Sequence, residues 1–200
     1  MKKMSLLTSF ILFSIFTCNC SSNDDNGDTP NNSAGPSYIK LQIDGAIVFD
    51  KSTNNPNPSV EFLNATISTQ EFSLNGTTIP ANTLSIVTGN DTYTQTGLGK
   101  MIMVLAYNIT EAGTYNFTAN VNNQFFYSDT TDPSNTFISQ IMEPFETTAT
   151  ITITKIGGLN PAGNGRYVSG YITGSAMSGS VSNPNEEMSF RLDFNGGVPE

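Results

Sequence analysis

The stretch YIKLQIDGAIVF, residues 38–49, decides the fold class of this chain. Its apolar residues alternate with polar ones up to Ile43, and a second apolar run begins at Ala46. Between the two runs lies Asp44-Gly45, the strongest kind of short signal for a tight turn between antiparallel strands. The stretch therefore predicts a β-hairpin at the start of the folded domain.

The same period of two recurs farther along the chain. It is clearest over 148–154, where threonine alternates with alanine and isoleucine, and over 187–194, where large apolar residues alternate with polar ones. Such patterns indicate antiparallel strands with one face in the core and the other in water. The unbroken apolar run at 100–107 indicates a central strand that is covered on both faces, although a buried helix segment has the same pattern. Weaker patterns predict strands at 60–68, 71–74, 84–88, 114–118, 125–128 and 167–174.

These patterns predict an all-β domain over residues 38–200, built from about ten short antiparallel strands. The favoured architecture is a β-sandwich, with a small closed barrel of the lipocalin type as the alternative, because a period of two is common to both. The apolar residues of 137–145 instead have helical spacing, and Pro144 limits such a helix to about two turns. We therefore expect one short helix in an otherwise all-β domain.

The N-terminal residues carry a different signal. Two lysines precede an apolar run of about a dozen residues, which is too short for the ~20 residues of a membrane-spanning helix and is typical of a secretory signal peptide. The run ends at Cys18 and Cys20, the only cysteines of the chain. A cysteine at that place is typical of bacterial lipoproteins, whose mature chain begins at a lipid-bearing cysteine. We predict a signal peptide over 1–19 and a lipidated, flexible tether over 20–37.

Cys20 is the favoured site of lipid attachment. Two serines and then acidic residues follow it, and this tract resembles that of Bacteroidetes lipoproteins, in which it is associated with export to the cell surface. Cys18 is the alternative, because the small Thr17 before it suits the signal peptidase better than Asn19. A disulfide between the two thiols is disfavoured, since a bridge across so few residues is strained. The expected location is the outer membrane, lipid-anchored and surface-exposed, with its periplasmic face as the alternative.

The composition excludes several kinds of site. The chain carries 17 acidic against 8 basic residues, a net charge of −9, which disfavours nucleic acid as a partner because nucleic acid selects clustered Lys and Arg. The chain has no histidine, and no cysteine beyond Cys20. It therefore lacks the groups for Ser-His-Asp or Cys-His catalysis and for His- or Cys-ligated metals. We expect no catalytic residues, no cofactor and no metal site.

Two short motifs are candidates for contact with other molecules. The aromatic run Phe125-Phe126-Tyr127 is a candidate ligand-contact patch, and alternation places Phe126 on one face of its strand and the two neighbours on the other. Asp129-Thr130-Thr131 resembles the short motif at which Bacteroidetes attach O-linked glycans to exported proteins. In that reading Thr130 is the glycan acceptor on a surface loop.

Four motifs follow one another in order: YIKLQIDG at 38–45, ITEAGTYNFT at 109–118, TITKIG at 152–157 and RYVSGYITG at 166–174, with an amphipathic strand after them. This order resembles a family of small Bacteroidetes lipoproteins, the domain of unknown function 6252, over residues 38–195. The resemblance implies a β-sandwich on an outer-membrane or surface lipoprotein. It implies no activity and assigns no functional residues.

The function we expect is that of a non-catalytic binding or structural module, with a glycan or an envelope protein as its partner and a membrane contact through the lipid. One alternative is a carrier of a small apolar ligand in a barrel, which the 13 phenylalanines and 7 methionines motivate. The other is a carboxylate-based glycan hydrolase, for which positions 143/146 and 186/187 supply pairs of glutamates.

Replacing Cys20 with serine should abolish lipid attachment, since the thiol is the nucleophile on which the lipid is built. Cells grown with a radiolabelled fatty acid should label the wild-type chain and the matched Cys18→Ser variant, but not the Cys20→Ser variant. Label that is lost with Cys18 instead would assign the anchor to the alternative cysteine.

Overall fold

The computed structural model describes residues 36–55, 58–74, 76–90, 93, 95, 99–118, 123–131, 137–141, 148–179 and 184–198. The predicted lipidation site Cys20 and its alternative Cys18 lie outside these residues. Among the described residues, no helix is long and apolar enough to cross a membrane. They form a 3₁₀ turn at Pro58–Glu61 and thirteen β-strands: β1 Ser37–Ile43, β2 Ala46–Thr53, β3 Leu63–Ser68, β4 Phe72–Leu74, β5 Thr77–Ile79, β6 Leu84–Gly89, β7 Lys100–Ala106, β8 Gly113–Thr118, β9 Gln124–Asp129, β10 Phe137–Ile141, β11 Thr148–Leu159, β12 Gly165–Gly179 and β13 Pro184–Asn195.

The predicted hairpin is present, and its turn explains the Asp-Gly dipeptide. Strands β1 and β2 pair antiparallel with Ile43 opposite Ala46, so only Asp44 and Gly45 lie in the loop. Their φ angles are +47° and +80°, and glycine adopts the positive value without strain. The Asp44 carboxylate also accepts hydrogen bonds of 2.9 Å from the backbone nitrogen and the hydroxyl of Ser189. The turn thereby ties the first strand pair to β13.

Eleven of the strands form one continuous antiparallel sheet that folds into two layers. The first layer has the order β8-β11-β12-β13-β1-β2, and the second has the order β3-β6-β7-β9-β10. Strand β12 joins them, because its first residues pair with β3 and its Met177-Ser178 pair with β10. Among the described strands, β2 and β8 each end the first layer with a single neighbour, whereas a closed barrel has no end strands. The fold is therefore the predicted antiparallel sandwich and not the lipocalin-like barrel.

The core lies between the two layers and is filled by the side chains that alternate inward. In the ladder of β12 and β13, Ile172 lies opposite Leu192, and both are buried. The rings of Phe125 in the second layer and Phe190 in the first stack with 4.4 Å between their centroids. Burial of such a side chain stabilises the fold by about 1.5–3 kcal/mol. The largest fully buried side chains are Tyr127, Phe117, Phe125, Phe194, Ile39, Leu41, Leu63, Leu84, Ile86, Ile102 and Ile109.

Two lysine side chains join strand β2, at the end of the first layer, to the second layer. Lys51 Nζ donates a hydrogen bond to the carbonyl oxygen of Gly89, and Lys100 Nζ donates one to that of Val48, both at 2.9 Å. Lys100 Nζ also lies 3.6 Å from a carboxylate oxygen of Asp129. Because a lysine amine occupies a backbone acceptor of β2, this edge is less available for pairing with a strand of another chain.

The apolar run at 100–107 is strand β7, which lies between β6 and β9 in the second layer. Ile102 and Val104 face the core and are buried, whereas Met103 on the opposite face is half-buried. The prediction of a central strand is confirmed, with its outer face only partly covered.

Residues 137–141 correct one expectation from the sequence. The spacing of apolar residues over 137–145 predicts a short helix, but Phe137–Ile141 is strand β10, which pairs antiparallel with β9. A short apolar run fits a helix or a strand by spacing alone, and here the hydrogen bonds of the sheet decide. The rest of the run, 142–147, lies outside the described residues.

Gly170 of β12 should not tolerate a side chain. An added Cβ would overlap the carbonyl oxygen of Thr152 and lie 3.1 Å from the ring of Phe194. We expect Gly170→Ala to lower the free energy of unfolding by about 3 kcal/mol, the upper part of the range for overpacked cores. Urea unfolding of the full chain measures this loss.

The matched control for this substitution is Gly163→Ala. An added Cβ at Gly163 meets no atom within 4 Å, but φ is +69°, so the cost should be limited to backbone strain. That strain amounts to about 1 kcal/mol for a single residue. Equal losses of stability in the two variants would contradict the close approach at Gly170.

Candidate functional site

The exposed face of the first layer carries a continuous row of polar and charged side chains. The ladders place one residue of each strand in this row, in the order Thr114, Thr152, Tyr171, Asp193, Lys40 and Asp50. Arg191 lies two residues from Asp193 and Tyr38 lies two residues from Lys40, so both share this face of the layer. We call the group Tyr38, Lys40, Tyr171, Arg191 and Asp193 the outer platform.

Arg191 and Asp193 form a fixed pair on the outer platform. Arg191 Nε donates to both carboxylate oxygens of Asp193, at 3.0 and 2.9 Å, and Nη2 donates to Oδ1 at 2.6 Å. These hydrogen bonds raise the pKa of Arg191, which keeps its guanidinium charged. The side chain of Arg191 is 45% exposed, and an exposed ion pair contributes only about 0–1 kcal/mol to stability. The pair therefore does more to fix the positions of its donors and acceptors than to stabilise the fold.

Tyrosine rings flank this pair. The guanidinium carbon of Arg191 lies 4.4 Å from the centroid of the Tyr171 ring, which is the range of a cation–π interaction. Tyr171 also faces Asp193 across the ladder of β12 and β13. Tyr38 of β1 is 38% exposed. The outer platform thus combines aromatic surface with a fixed array of hydrogen-bonding groups.

Hydroxyl groups extend the same face toward β8. Thr114 Oγ1 lies 3.3 Å from Thr152 Oγ1 across the ladder of β8 and β11, and Thr154 Oγ1 lies 3.1 Å from Ser169 Oγ. A hydroxyl both donates and accepts hydrogen bonds. Hydroxyl, phenol, guanidinium and carboxylate groups in this arrangement are suited to binding a polar ligand.

The charges of the row balance one another. Lys40 lies opposite Asp193 on one side and opposite Asp50 on the other, and Arg191 is paired with Asp193. Opposite charges that face each other across a strand pair stabilise a sheet by about 0.2–1 kcal/mol. The chain as a whole has a net charge of −9. Since the two basic side chains match the two carboxylates, these residues form a locally neutral area on an acidic protein.

The sheet divides the predicted aromatic patch. Phe125 and Tyr127 of β9 are buried in the core. Phe126 faces the other way, lies opposite Met103 and is half-buried. Phe126 is therefore the residue of the patch that lies on the outer surface, and its two neighbours stabilise the core.

Thr130, the predicted acceptor of an O-linked glycan, uses its hydroxyl within the fold. Its Oγ1 accepts a hydrogen bond of 2.7 Å from the backbone nitrogen of Gly99 and donates one of 3.1 Å to the carbonyl oxygen of Gly99. The next residue, Thr131, is exposed, and its hydroxyl donates to Asp129. Glycosylation of Thr130 stays a prediction, and it would remove the hydrogen bond that this hydroxyl donates.

The glutamate pairs are described only in part. Glu143 and Glu146 lie outside the described residues, and Glu187 is exposed on β13. In the part of the chain that the structure describes, no group of three or more His, Cys, Asp or Glu side chains is placed to hold a metal ion. The outer platform is therefore the candidate site that the described residues support best.

None of the five outer-platform residues is among the site residues predicted from the sequence. The alternation over 187–194 places Arg191 and Asp193 on the solvent-exposed face of the last strand, but the register that brings Tyr171 beside them depends on pairing between separate strands.

Comparison of the chain with protein-family models, with curated proteins and with solved structures gives no match. The N-terminal sequence and the residues of the outer platform are therefore the features of the chain that bear on its function.

Tyr127 should make the fold sensitive to alkaline pH. Burial, and to a smaller extent the Asp129 carboxylate, raise the pKa of its phenol. Below pH ~10 the Tyr127 phenol is neutral in the folded and in the unfolded chain, and its contribution to the free energy of unfolding is intact. That contribution is lost as the pH rises toward the pKa of the phenol in the folded chain. The loss arises because the unfolded chain then releases a proton that the folded chain retains.

The midpoint of urea unfolding should therefore fall between about pH 10 and pH 12 in the wild type and fall less in Tyr127→Phe. The midpoint of each protein at pH ~8 provides its own baseline, which corrects for any loss of stability from the substitution itself. A fall of equal size in the two proteins would contradict the role of this phenol.

Proposed function

We propose that this protein is a lipid-anchored, non-catalytic binding module at the outer membrane of a bacterium, displayed on the cell surface. The observation that carries the proposal is the N-terminal sequence: two lysines and an apolar run, which predict a signal peptide over 1–19, then Cys20 and a polar, acidic tract over 21–37 without large apolar residues. One acyl chain gives only marginal membrane binding, so the several chains of a lipoprotein supply the stable anchor. The resemblance of residues 38–195 to Bacteroidetes lipoproteins supports the same location.

The outer platform supports a binding role for the anchored domain. Its side chains lie on paired strands, and strands hold functional groups in position more accurately than loops do. The guanidinium of Arg191 contacts both Asp193 and the Tyr171 ring. A partner would therefore meet groups whose positions are already fixed, which lowers the entropy cost of binding.

The alternatives to a binding module have less support. The chain has no histidine and no cysteine beyond Cys20, and the carboxylate of Asp193 is held by Arg191. The phenylalanines and methionines that motivate a carrier of an apolar ligand are in part core residues, since Phe117, Phe125 and Met188 belong to the core cluster of the described strands. A binding function for the exposed face is therefore preferred to catalysis and to transport.

Protease treatment of intact cells should digest the wild-type protein, since the proposal places the domain outside the outer membrane. The Cys18→Ser/Cys20→Ser double variant should leave the membrane fraction, because neither thiol then remains to carry lipid. Immunoblots of cell fractions and of protease-treated cells measure both effects. A double variant that still sediments with the envelope would overturn the anchoring.

A further pair of variants separates anchoring from display. Asp24→Asn combined with Asp25→Asn removes acidity from the tract and leaves Cys20 intact, so this protein should stay membrane-bound but resist protease on intact cells. Asp50→Asn is the matched control, since it makes the same chemical change within the domain and should be digested as the wild type is. Digestion of the tract variant at the wild-type rate would contradict a role of the tract in export.

A further inference from the structure

The outer platform offers more hydrogen bonds than the fold uses. A guanidinium has five N–H donors, and a carboxylate accepts about four hydrogen bonds. Among the described residues, Arg191 directs its Nε and Nη2 to Asp193, which leaves Nη1 and the second Nη2 hydrogen available to another molecule. The pair thus presents donors and acceptors side by side in a fixed geometry.

Neighbouring hydroxyl groups of a sugar match this arrangement. Each sugar hydroxyl donates and accepts, so two adjacent hydroxyls can bond to a guanidinium and a carboxylate at the same time. The C–H face of the sugar ring is apolar and packs on an aromatic side chain. Arg191 already covers one face of Tyr171, so the exposed Tyr38 is the ring best placed for such packing. Tyrosine supplies this contact area at a low cost in conformational entropy.

Charge selects among ligands that carry hydroxyl groups. Lys40 and Arg191 balance Asp50 and Asp193 along the row, so an uncharged ligand meets no net repulsion there. An acidic ligand such as a uronic acid polymer, a phosphate or a nucleic acid would approach against the field of a chain with a net charge of −9. The arrangement therefore favours a neutral ligand over an anionic one.

We propose that the outer platform binds a segment of an uncharged polysaccharide that lies along the row from β8 to β2. The inference rests on the proposed binding function and names the ligand class. The row crosses six strands, and at about 4.8 Å between strands it is roughly 24 Å long, enough for several sugar units. Because the contacts are spread along this row, from the Thr114 and Thr152 hydroxyls to Lys40, a polymer should bind more tightly than a single sugar.

Affinity electrophoresis of the full chain in detergent tests the proposal. The gels contain dextran, galactomannan or mixed-linkage β-glucan as neutral probes, and polygalacturonate as the acidic probe. At least one neutral polysaccharide should retard the wild-type protein, and polygalacturonate should not. Retardation by polygalacturonate alone, or by none of the four probes, would overturn the proposal.

Two substitutions with matched controls assign the binding to the outer platform. Asp193→Asn and Tyr38→Ala should each weaken binding about tenfold, since each removes one charged acceptor or one stacking surface. The controls are Glu187→Gln, another exposed acid on β13, and Ile47→Ala, an apolar side chain that is 56% exposed on β2. Both controls should bind as the wild type does. Binding that is unchanged in Asp193→Asn and Tyr38→Ala would place the site elsewhere and overturn the proposal.

A failure of the polysaccharide assignment can be distinguished from a failure of the proposed function. Urea unfolding of each variant shows that it is folded, and Tyr38→Phe, which keeps the ring, should retain binding if the Tyr38→Ala effect is a loss of stacking. Fractionation and protease digestion of cells report on anchoring and display alone. A surface-anchored protein whose outer platform binds no neutral polysaccharide would retain its location and lose this ligand assignment.

Discussion

Strand β12 holds the two layers together through its backbone. Along Gly165–Gly179 it pairs with β3, β13, β11 and β10, so its hydrogen bonds serve both layers. At Gly170 a side chain would overlap the carbonyl oxygen of Thr152, and glycine removes this conflict. Glycine inside a strand normally weakens it, so its presence here reflects close packing and not strand preference. The position of Tyr171 in the outer platform depends on this close contact between β12 and β11, because Tyr171 directly follows Gly170.

The register between β12 and β13 sets the core and the outer platform at once. Ile172 lies opposite Leu192 in the core, and Tyr171 lies opposite Asp193 on the exposed face. A slip of one residue would exchange the two faces and transfer the apolar side chains to water. The burial energy of the core therefore holds Tyr171 beside Arg191, although the exposed contacts themselves contribute little stability.

The sequence predicts those features that depend on neighbours along the chain. The turn at 44–45 follows from local backbone preferences, and the strands at 148–154 and 187–194 follow from the alternation of apolar and polar residues. The structure confirms the turn and both strands. The pairings of β12 with β3 and β10 could not be predicted, because they join segments that share no local signal. The expected helix over 137–145 is wrong for a related reason, since pairing with β9 decides where the period of a short run does not. For the outer platform, the sequence predicts that the charged Arg191 and Asp193 are exposed. It does not predict the register between β12 and β13 that brings Tyr171 beside them.

The positions of the basic residues connect the proposed anchoring with the proposed binding. Of 8 basic residues, Lys2 and Lys3 belong to the predicted signal peptide, which leaves 6 for the rest of an acidic chain. Lys51 and Lys100 hold β2 against the second layer, and Lys40 and Arg191 neutralise the row on the exposed face of the first. On the proposed tether, repulsion between the acidic remainder and an anionic membrane would leave the neutral face open to the proposed polysaccharide. A surface of uniform negative charge would repel the membrane equally well but would lack the paired donors and acceptors that a polar, uncharged ligand needs.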